Sequence, residues 1–284
     1  MTATVSAATS AIRQRVPRND VLFRISFVFL ILITVVAVLA PLIAPYGPGS
    51  ADFANTQAGP SAQHLLGTDQ LGRNILTRLM YGAQASLLGP VVILAIASVI
   101  GVPLGVFMAW RGGWVDAVAS RGTDMFYAFP GLFFALLVIA VFGRGMMAVT
   151  VALGLAFFPT ITKFTRSLAI AERGKPYIEA YRVQGVSGFV VCFRRLLPNI
   201  APAVLGYIVV LFGDALMSLV GLSFLGFGAQ PPSSEWGLMV SEGQISLLQG
   251  AWLPTIVPGL AIVLTVVAVN LVGIRIADRF GKGD

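Results

Sequence analysis

Long runs of apolar residues, separated by short polar or charged segments, dominate the chain. A helix needs about 20 apolar residues to cross the hydrocarbon core of a bilayer. Six runs reach or approach that length, and each is predicted to form a membrane-spanning helix. The sequence therefore predicts an all-α integral membrane protein with six transmembrane helices. The runs are Ile25 to Ala44, Leu79 to Trp110, Met125 to Gly143, Gly145 to Thr162, Leu196 to Ser234 and Gly243 to Ile274.

The polar segments between these runs divide the chain into predicted regions. Pro41, Pro45 and Pro48 end the first span, because proline lacks a backbone donor. A later polar stretch carries seven Lys and Arg residues and too few apolar ones to cross a bilayer. The predicted regions are a cytoplasmic tail (1–24), the first transmembrane helix (25–45), an external loop with an amphipathic segment (46–80), a five-helix core (81–277) that includes the polar loop 163–195, and a second cytoplasmic tail (278–284).

Composition and charge support a membrane protein and disfavour a nucleic-acid-binding one. The chain is 57% hydrophobic and 11% charged, with a mean hydropathy of +0.86, which a soluble core of this length could not bury. Its net charge is +7. With a cytoplasmic N-terminus, six spans place all but Arg73, Arg78 and Arg144 of the 19 basic residues on the cytoplasmic side. The positive-inside rule then predicts that both termini are cytoplasmic and accounts for the basicity.

Few residues have the type and spacing that catalysis or metal binding requires. A Gly-rich phosphate-binding loop that ends in Lys-Ser/Thr is absent from the sequence, so we expect no ATP hydrolysis by this chain. His64 and Cys192 are the sole residues of their types. Neither has partners at ligand spacing, so no metal site is predicted. Asp69 and Arg73 are close enough to form a local ion pair.

Asp214 interrupts the fifth apolar run. An ionisable group inside a span costs roughly 2.5 to 3.5 kcal/mol on insertion scales and normally faces a cavity or a partner. Two interpretations remain open: Asp214 lines a translocation path, or it forms a structural hydrogen bond to a neighbouring helix or subunit. A proton-driven secondary transporter would show several such groups, so this single acid disfavours that class.

The polar loop contains a segment with helical periodicity. Pro176 suits the first position of a helix, and Gly185 and Gly188 interrupt the helix after about three turns. We expect two short helices at an angle that lie along the membrane surface, followed by a span that starts at Pro198. The residues at helical spacing on one face are Ile178, Tyr181, Gly185 and Phe189.

This segment resembles the EAA loop of ABC importer permeases. That motif reads Glu-Ala-Ala, three residues, Gly and, further along, Leu-Pro; Tyr181 departs from its usual small residue. Other stretches are similar to the C-type permease of dipeptide, oligopeptide and nickel importers. The residues that carry the two likenesses are Glu179-Ala180, Gly185 and Leu197-Pro198, then Leu66 to Arg73, Ala128 to Gly131, Gly221 to Pro232, Trp236-Gly237, Pro258 to Ala261 and Asn270-Leu271.

The resemblance implies a type I ABC importer permease fold in the bacterial cytoplasmic (inner) membrane. It implies a path for dipeptides or short oligopeptides, formed with a homologous permease. Two ATP-binding subunits, or one fused or duplicated ATPase, would hold ATP and Mg, and an extracytoplasmic binding protein would deliver substrate. Nickel or glutathione remains an alternative substrate. The residues implied to couple the chain to the ATPase are Glu179, Ala180, Gly185, Val186, Ser187, Phe189, Leu197 and Pro198.

Overall fold

The computed structural model describes residues 20–280, and these are almost entirely helical, as predicted. Within this range the β-structure consists of two isolated bridges, Ala51 with Arg73 and Thr68 with Asn74. Parts of the predicted tails, residues 1–19 and 281–284, lie outside the described residues. The α-helices are α1 (Asp20–Ile43), α2 (Ile75–Arg111), α3 (Gly113–Ala128), α4 (Gly131–Phe142), α5 (Met146–Arg173), α6 (Pro176–Val183), α7 (Gly188–Val191), α8 (Leu197–Phe224), α9 (Trp236–Leu248) and α10 (Leu253–Phe280).

Five helical segments are long and apolar enough to cross a membrane: α1, α2, α5, α10 and the continuous stretch Gly188–Phe224. A sixth span exists if α3 and α4 are counted together, and this pair is bent by 86°. The bend falls inside the third predicted run. Phe129 adopts an extended conformation there, because the ring of a following proline, Pro130, disfavours the helical region for the residue before it.

The last two predicted runs differ from the observed helices. The fifth run was expected to continue to Ser234, but α8 ends at Phe224. Gly226, with a φ of 80°, and the Pro231-Pro232 pair lie in the connection that follows. The sixth run was expected to start at Gly243, which instead lies within the separate helix α9; α10 begins at Leu253.

Helix α2 has 37 residues and is therefore about 55 Å long, well beyond the thickness of a hydrocarbon core of about 30 Å. Asn74 caps it by accepting a hydrogen bond from the N–H of Thr77. Glycines bring α2 close to α5: a Cβ at Gly101 would lie 2.9 Å from the carbonyl oxygen of Phe158. Small residues allow such backbone approach between membrane helices.

The bundle has two distinct ends. Gly145 donates its N–H to the carbonyl of Phe227 at 3.0 Å, so the loops after α4 and α8 lie together. Residues 46–74 contact α9 at this end, which we call the loop end. At the opposite end, Arg173 at the end of α5 donates to the carbonyl of Ala109 at 2.6 Å. We call this the coupling end, since it carries the residues that resemble the EAA loop.

Candidate functional site

Helix α6 lies at the coupling end, and Ile178 is its one fully buried side chain. Ile178 is fully buried, in a cluster with residues of α2, α5 and α8. Glu179 and Ala180 are exposed, and Val183 is 85% exposed. Pro176 occupies the first turn, where its missing N–H costs no hydrogen bond. The helix therefore projects a short, unburied face from the bundle.

Gly185 ends this helix in the left-handed region, with a φ of 73°. Its N–H donates to the carbonyl of Arg182 at 3.0 Å, and the N–H of Val186 donates to the carbonyl of Tyr181 at 3.1 Å. This pair of bonds is a Schellman motif, which a glycine satisfies with little strain. A side chain at Gly185 would meet no atom within 4 Å. The requirement for glycine is therefore conformational rather than steric.

The chain then turns into α7, a π-helical turn (Cys192–Leu196) and α8 without interruption. The predicted span start at Pro198 is therefore wrong, because Gly188–Phe224 is one continuous helical stretch. Helix α6 has 8 residues, about two turns rather than the expected three. Ser187 caps α7 by accepting a hydrogen bond from the N–H of Val190. Phe189 is exposed, and Leu197-Pro198 form the first turn of α8. The residues that resemble the EAA loop are thus contiguous at one end of the bundle, with Glu179 and Phe189 pointing outward.

A polar network that the sequence reasoning missed fixes the start of α6. Tyr177 donates its hydroxyl hydrogen to the carboxylate of Glu172. Asn199, in the first turn of α8, donates to the Tyr177 oxygen at 2.7 Å and to Glu172 at 3.2 Å. Lys175 lies 2.9 Å from the other carboxylate oxygen. Burial, together with the hydrogen bond to Glu172, raises the pKa of Tyr177. The network joins α5, α6 and α8 through side-chain hydrogen bonds.

A buried ionic cluster lies at the loop end. Asp69 contacts Arg73 at 2.7 Å, which confirms the predicted local pair. Arg78 contacts the same carboxylate oxygen at 2.7 Å, and Glu242 of α9 contacts both guanidinium groups at 2.7 Å. Arg78 and Glu242 were not predicted, because they are distant in sequence. We refer to these residues as the loop-end cluster.

Helix α9 packs deeply beside this cluster. Its N-cap, Glu235, accepts hydrogen bonds from the N–H groups of Gly237 and Leu238 at 2.9 and 3.0 Å. Burial raises the pKa of Glu235 despite those two bonds. The indole of Trp236 is fully buried and donates to the carbonyl of Leu79 at 3.0 Å. Gly82 permits this approach, since a Cβ there would lie 2.0 Å from the carbonyl oxygen of Ser234.

His64 and Cys192 occupy structural positions. The His64 ring contacts the amide nitrogen of Asn74 at 2.9 Å and is buried. Cys192 is buried in the cluster around Ile178. Across the part of the chain that the structure describes, no group of three His, Cys, Asp or Glu residues is arranged to hold a metal ion.

Asp214 is exposed on the surface of this chain, midway along α8. Next to it, Gly213 packs against Asn270 of α10, whose amide nitrogen would lie 3.0 Å from a Cβ at that glycine. Other charged groups are also exposed, notably Asp124 of α3 and Lys163 of α5, which form an ion pair at 2.7 Å. A cleft of about 410 Å³ opens on the same side, lined by residues from α3, α4, α5 and α8 that include Tyr127, Pro130, Thr160 and Ser218.

Comparison with known proteins identifies the family. A family model described as "Binding-protein-dependent transport system inner membrane component" matches residues 101–283. A second model, "N-terminal TM domain of oligopeptide transport permease C", matches residues 18–60.

Curated relatives cover most of the chain. The glutathione transport system permease protein GsiD of Escherichia coli O1:K1 is 36% identical over 251 residues, which are 88% of this chain and 82% of that protein. The protein of the same name from Shigella dysenteriae serotype 1 is 37% identical over the same shares.

Among solved structures, the inward facing MetNI methionine ABC transporter superposes with a TM-score of 0.61. The match covers 72% of this chain and 97% of that one at 18% identity, so it bears on the fold alone. It agrees with the predicted type I importer fold. The chain thus belongs to the binding-protein-dependent transport system inner membrane components and is a permease subunit of an ABC importer in the peptide, nickel and glutathione group.

Proposed function

We propose that this chain and a homologous permease form the import path for dipeptides or short oligopeptides, and that α6 couples the path to ATP hydrolysis. The observation that carries the proposal is the outward face of α6, where Glu179, Ala180 and Val183 are exposed while Ile178 anchors the helix. Two ATP-binding subunits, holding ATP and Mg, would receive this face. An extracytoplasmic binding protein would deliver the substrate at the loop end.

The charge distribution supports a cytoplasmic coupling end in the bacterial inner membrane. Lys and Arg residues concentrate in the segment 163–195 and near both termini, whereas the loop-end arginines 73 and 78 are neutralised by Asp69 and Glu242. Cytoplasmic loops carry an excess of such residues. Both termini would then be cytoplasmic.

The exposed charges of α3, α5 and α8 support the position of the path. The Asp124 and Lys163 side chains are 53% and 41% exposed, and Asp214 is exposed as well. Charged groups in spans are costly against lipid and normally face a cavity or a partner. We therefore assign this side to the interface with the second permease, with Asp214 as a path-lining residue.

Glutathione is the second candidate substrate. It is favoured by the 36% identity to proteins named glutathione transport system permease. Glutathione is itself a tripeptide, with one γ-linked peptide bond and two carboxylates, so a path for short peptides is chemically compatible with it. Nickel remains a further alternative within the same group.

Uptake by proteoliposomes tests these proposals. The chain would be reconstituted with its co-expressed permease, ATP-binding subunits and binding protein, and uptake of labelled dialanine, glutathione and Ni²⁺ would be compared with and without internal ATP. We expect ATP-dependent uptake of dialanine. ATP-dependent uptake of glutathione or Ni²⁺ alone would overturn the dipeptide assignment, and ATP-independent uptake would overturn the coupling assignment.

A further inference from the structure

A groove of about 620 Å³ lies at the coupling end, on the outside of the bundle. Its walls come from the last three turns of α2 and from α7 with the π-helical turn that follows. We call it the α2–α7 groove. It shares no lining residue with the outward face of α6 or with the cleft beside Asp214, although Phe189, which lines it, also belongs to the segment that resembles the EAA loop. The residues used below are Phe107, Trp110, Arg111, Gly188 and Phe193.

Backbone geometry builds this groove. Gly188 lies flat against the Trp110 indole, and a Cβ at that position would come within 2.6 Å of the indole nitrogen. The start of α7 therefore packs closely on α2 at Gly188, and any larger residue there would push the Trp110 ring or the α7 backbone away. Residues of both helices then line the open groove on either side of this contact. The rings of Phe189 and Phe193 contact each other along one wall, with centroids 4.5 Å apart and planes tilted by 38°.

The groove changes from apolar to polar along the helix axis. Its deeper part is formed by Val106 and Phe107, inside the span Ile75–Arg111. Its outer part is formed by Trp110 and Arg111, in the last turn of that span. Tryptophan and arginine are typical of the depth at which lipid headgroups lie. The gradient matches a molecule with an apolar chain and a polar head.

The outer part of the groove is positively charged. The Arg111 guanidinium is exposed and lies 5.9 Å from the centroid of Phe107. Arg182 of α6 lies 4.6 Å from the centroid of the Trp110 ring, so a second guanidinium borders the groove. The lining residues, all of which the structure describes, include no carboxylate. An occupant with a negative head is therefore favoured over a neutral or positive one.

We infer that the α2–α7 groove binds an anionic phospholipid. The phosphate of its headgroup contacts Arg111, and one acyl chain lies along Phe107 and Phe193. Basic pockets beside membrane helices bind such headgroups at the cytoplasmic side. A protein segment fits less well, because the groove extends from the headgroup depth into the span.

Native mass spectrometry of the full chain, purified with its partner subunits, tests the inference. Phosphatidylglycerol and phosphatidylcholine with identical acyl chains would be titrated in detergent. We expect phosphatidylglycerol to be retained preferentially. Arg111→Gln should weaken its apparent affinity about fivefold and leave phosphatidylcholine unchanged, while Arg111→Lys should keep most of the preference. Phe193→Ser should weaken both lipids, since it shortens the apolar wall.

Arg144 provides a matched control. It is an exposed arginine that lies 5.5 Å from the centroid of Phe227, but at the loop end. Arg144→Gln should leave the preference for phosphatidylglycerol unchanged. Equal retention of the two lipids by the unmodified protein, or equal loss in the Arg111 and Arg144 variants, would overturn the inference. Loss of bound phosphatidylglycerol on addition of millimolar glycerol phosphate alone would also overturn the inference, because the site would then bind a free anion.

Discussion

Arg78 Nη2 and Glu242 Oε2 lie 2.7 Å apart, although 164 residues separate them in the chain. The contact joins the start of α2 to α9, and Arg78 is almost fully buried. Asp69 and Arg73 complete a cluster of two positive and two negative groups. A buried charge that loses its partner is left uncompensated, whereas an exposed one is rehydrated. The stability of the loop end should therefore depend on this pair.

Arg78→Met should destabilise the protein by about 3 to 5 kcal/mol, because it leaves Glu242 and Asp69 with one guanidinium between them. Lys163→Met is the control, because its pair with Asp124 is about half exposed and its loss should lower stability much less than the loss of a buried pair. Thermal unfolding in detergent measures both variants. Equal melting temperatures for the two would contradict a stabilising role of the loop-end cluster.

Gly185→Val should impair coupling, because valine is strained by roughly 1 to 3 kcal/mol at the positive φ of this turn. Gly185→Asn is the matched variant, since asparagine tolerates the left-handed region far better. The measurement is ATP-driven uptake by the reconstituted importer, together with the affinity of the binding protein for substrate. We expect uptake to fall in the order Gly, Asn, Val at constant affinity. Wild-type uptake by the valine variant would refute the proposed role of this turn.

Glu179→Ala should leave folding nearly unchanged, because the side chain is exposed in this chain. If Glu179 makes a charge-assisted contact with the ATP-binding subunit, its loss should weaken association by roughly 1.5 to 3 kcal/mol. Binding of the purified ATP-binding subunits to the permease pair measures this effect. Gln184→Ala, at the exposed end of α6, serves as the control. Equal affinities for the two variants would mean that the ATPase does not contact Glu179.

Glu235 should make stability depend on pH. Burial raises the pKa of Glu235 above the ordinary value of 4.5. At a pH between 4.5 and the raised pKa, the carboxyl is therefore protonated in the folded chain and ionised in the unfolded chain. This contribution to the free energy of unfolding is complete below pH 4.5 and is lost as the pH rises through the folded pKa. In the Glu235→Gln variant, the melting temperature should fall less steeply as the pH rises above 4.5. If the melting temperature of this variant depended on pH as in the unmodified protein, a group other than Glu235 would cause the pH dependence.

Cysteine accessibility tests the proposed orientation. Cys192→Ala removes the single native thiol, after which cysteines can be introduced at Ser61 and Ser187, both of which are exposed. A membrane-impermeant thiol reagent added to intact cells should label position 61 and leave position 187 unlabelled until the membrane is opened. External labelling at position 187 would reverse the orientation.

Local sequence information was sufficient for much of this molecule. The apolar runs located the membrane helices, because the length of a span depends on its own composition. Pro176 and Gly185 marked a helix start and a turn, since each acts through its own backbone dihedral angles or its missing donor. Pro198 was wrongly expected to start a span, because the helix runs continuously from Gly188 to Phe224. Residues 69 and 73 were paired correctly because they are four residues apart.

The remaining features required the tertiary structure. Apolar content does not reveal where a span is interrupted, so the 86° bend at Pro130 and the separate helix α9 were missed. Arg78 with Glu242, and Tyr177 with Asn199, are contacts between helices whose approach depends on how glycines such as Gly82 and Gly101 pack. The exposed position of Asp214 and the groove beside Trp110 are likewise properties of surfaces shared by several helices. A hydrophobic pattern describes one helix at a time, and packing selects which of its faces meet.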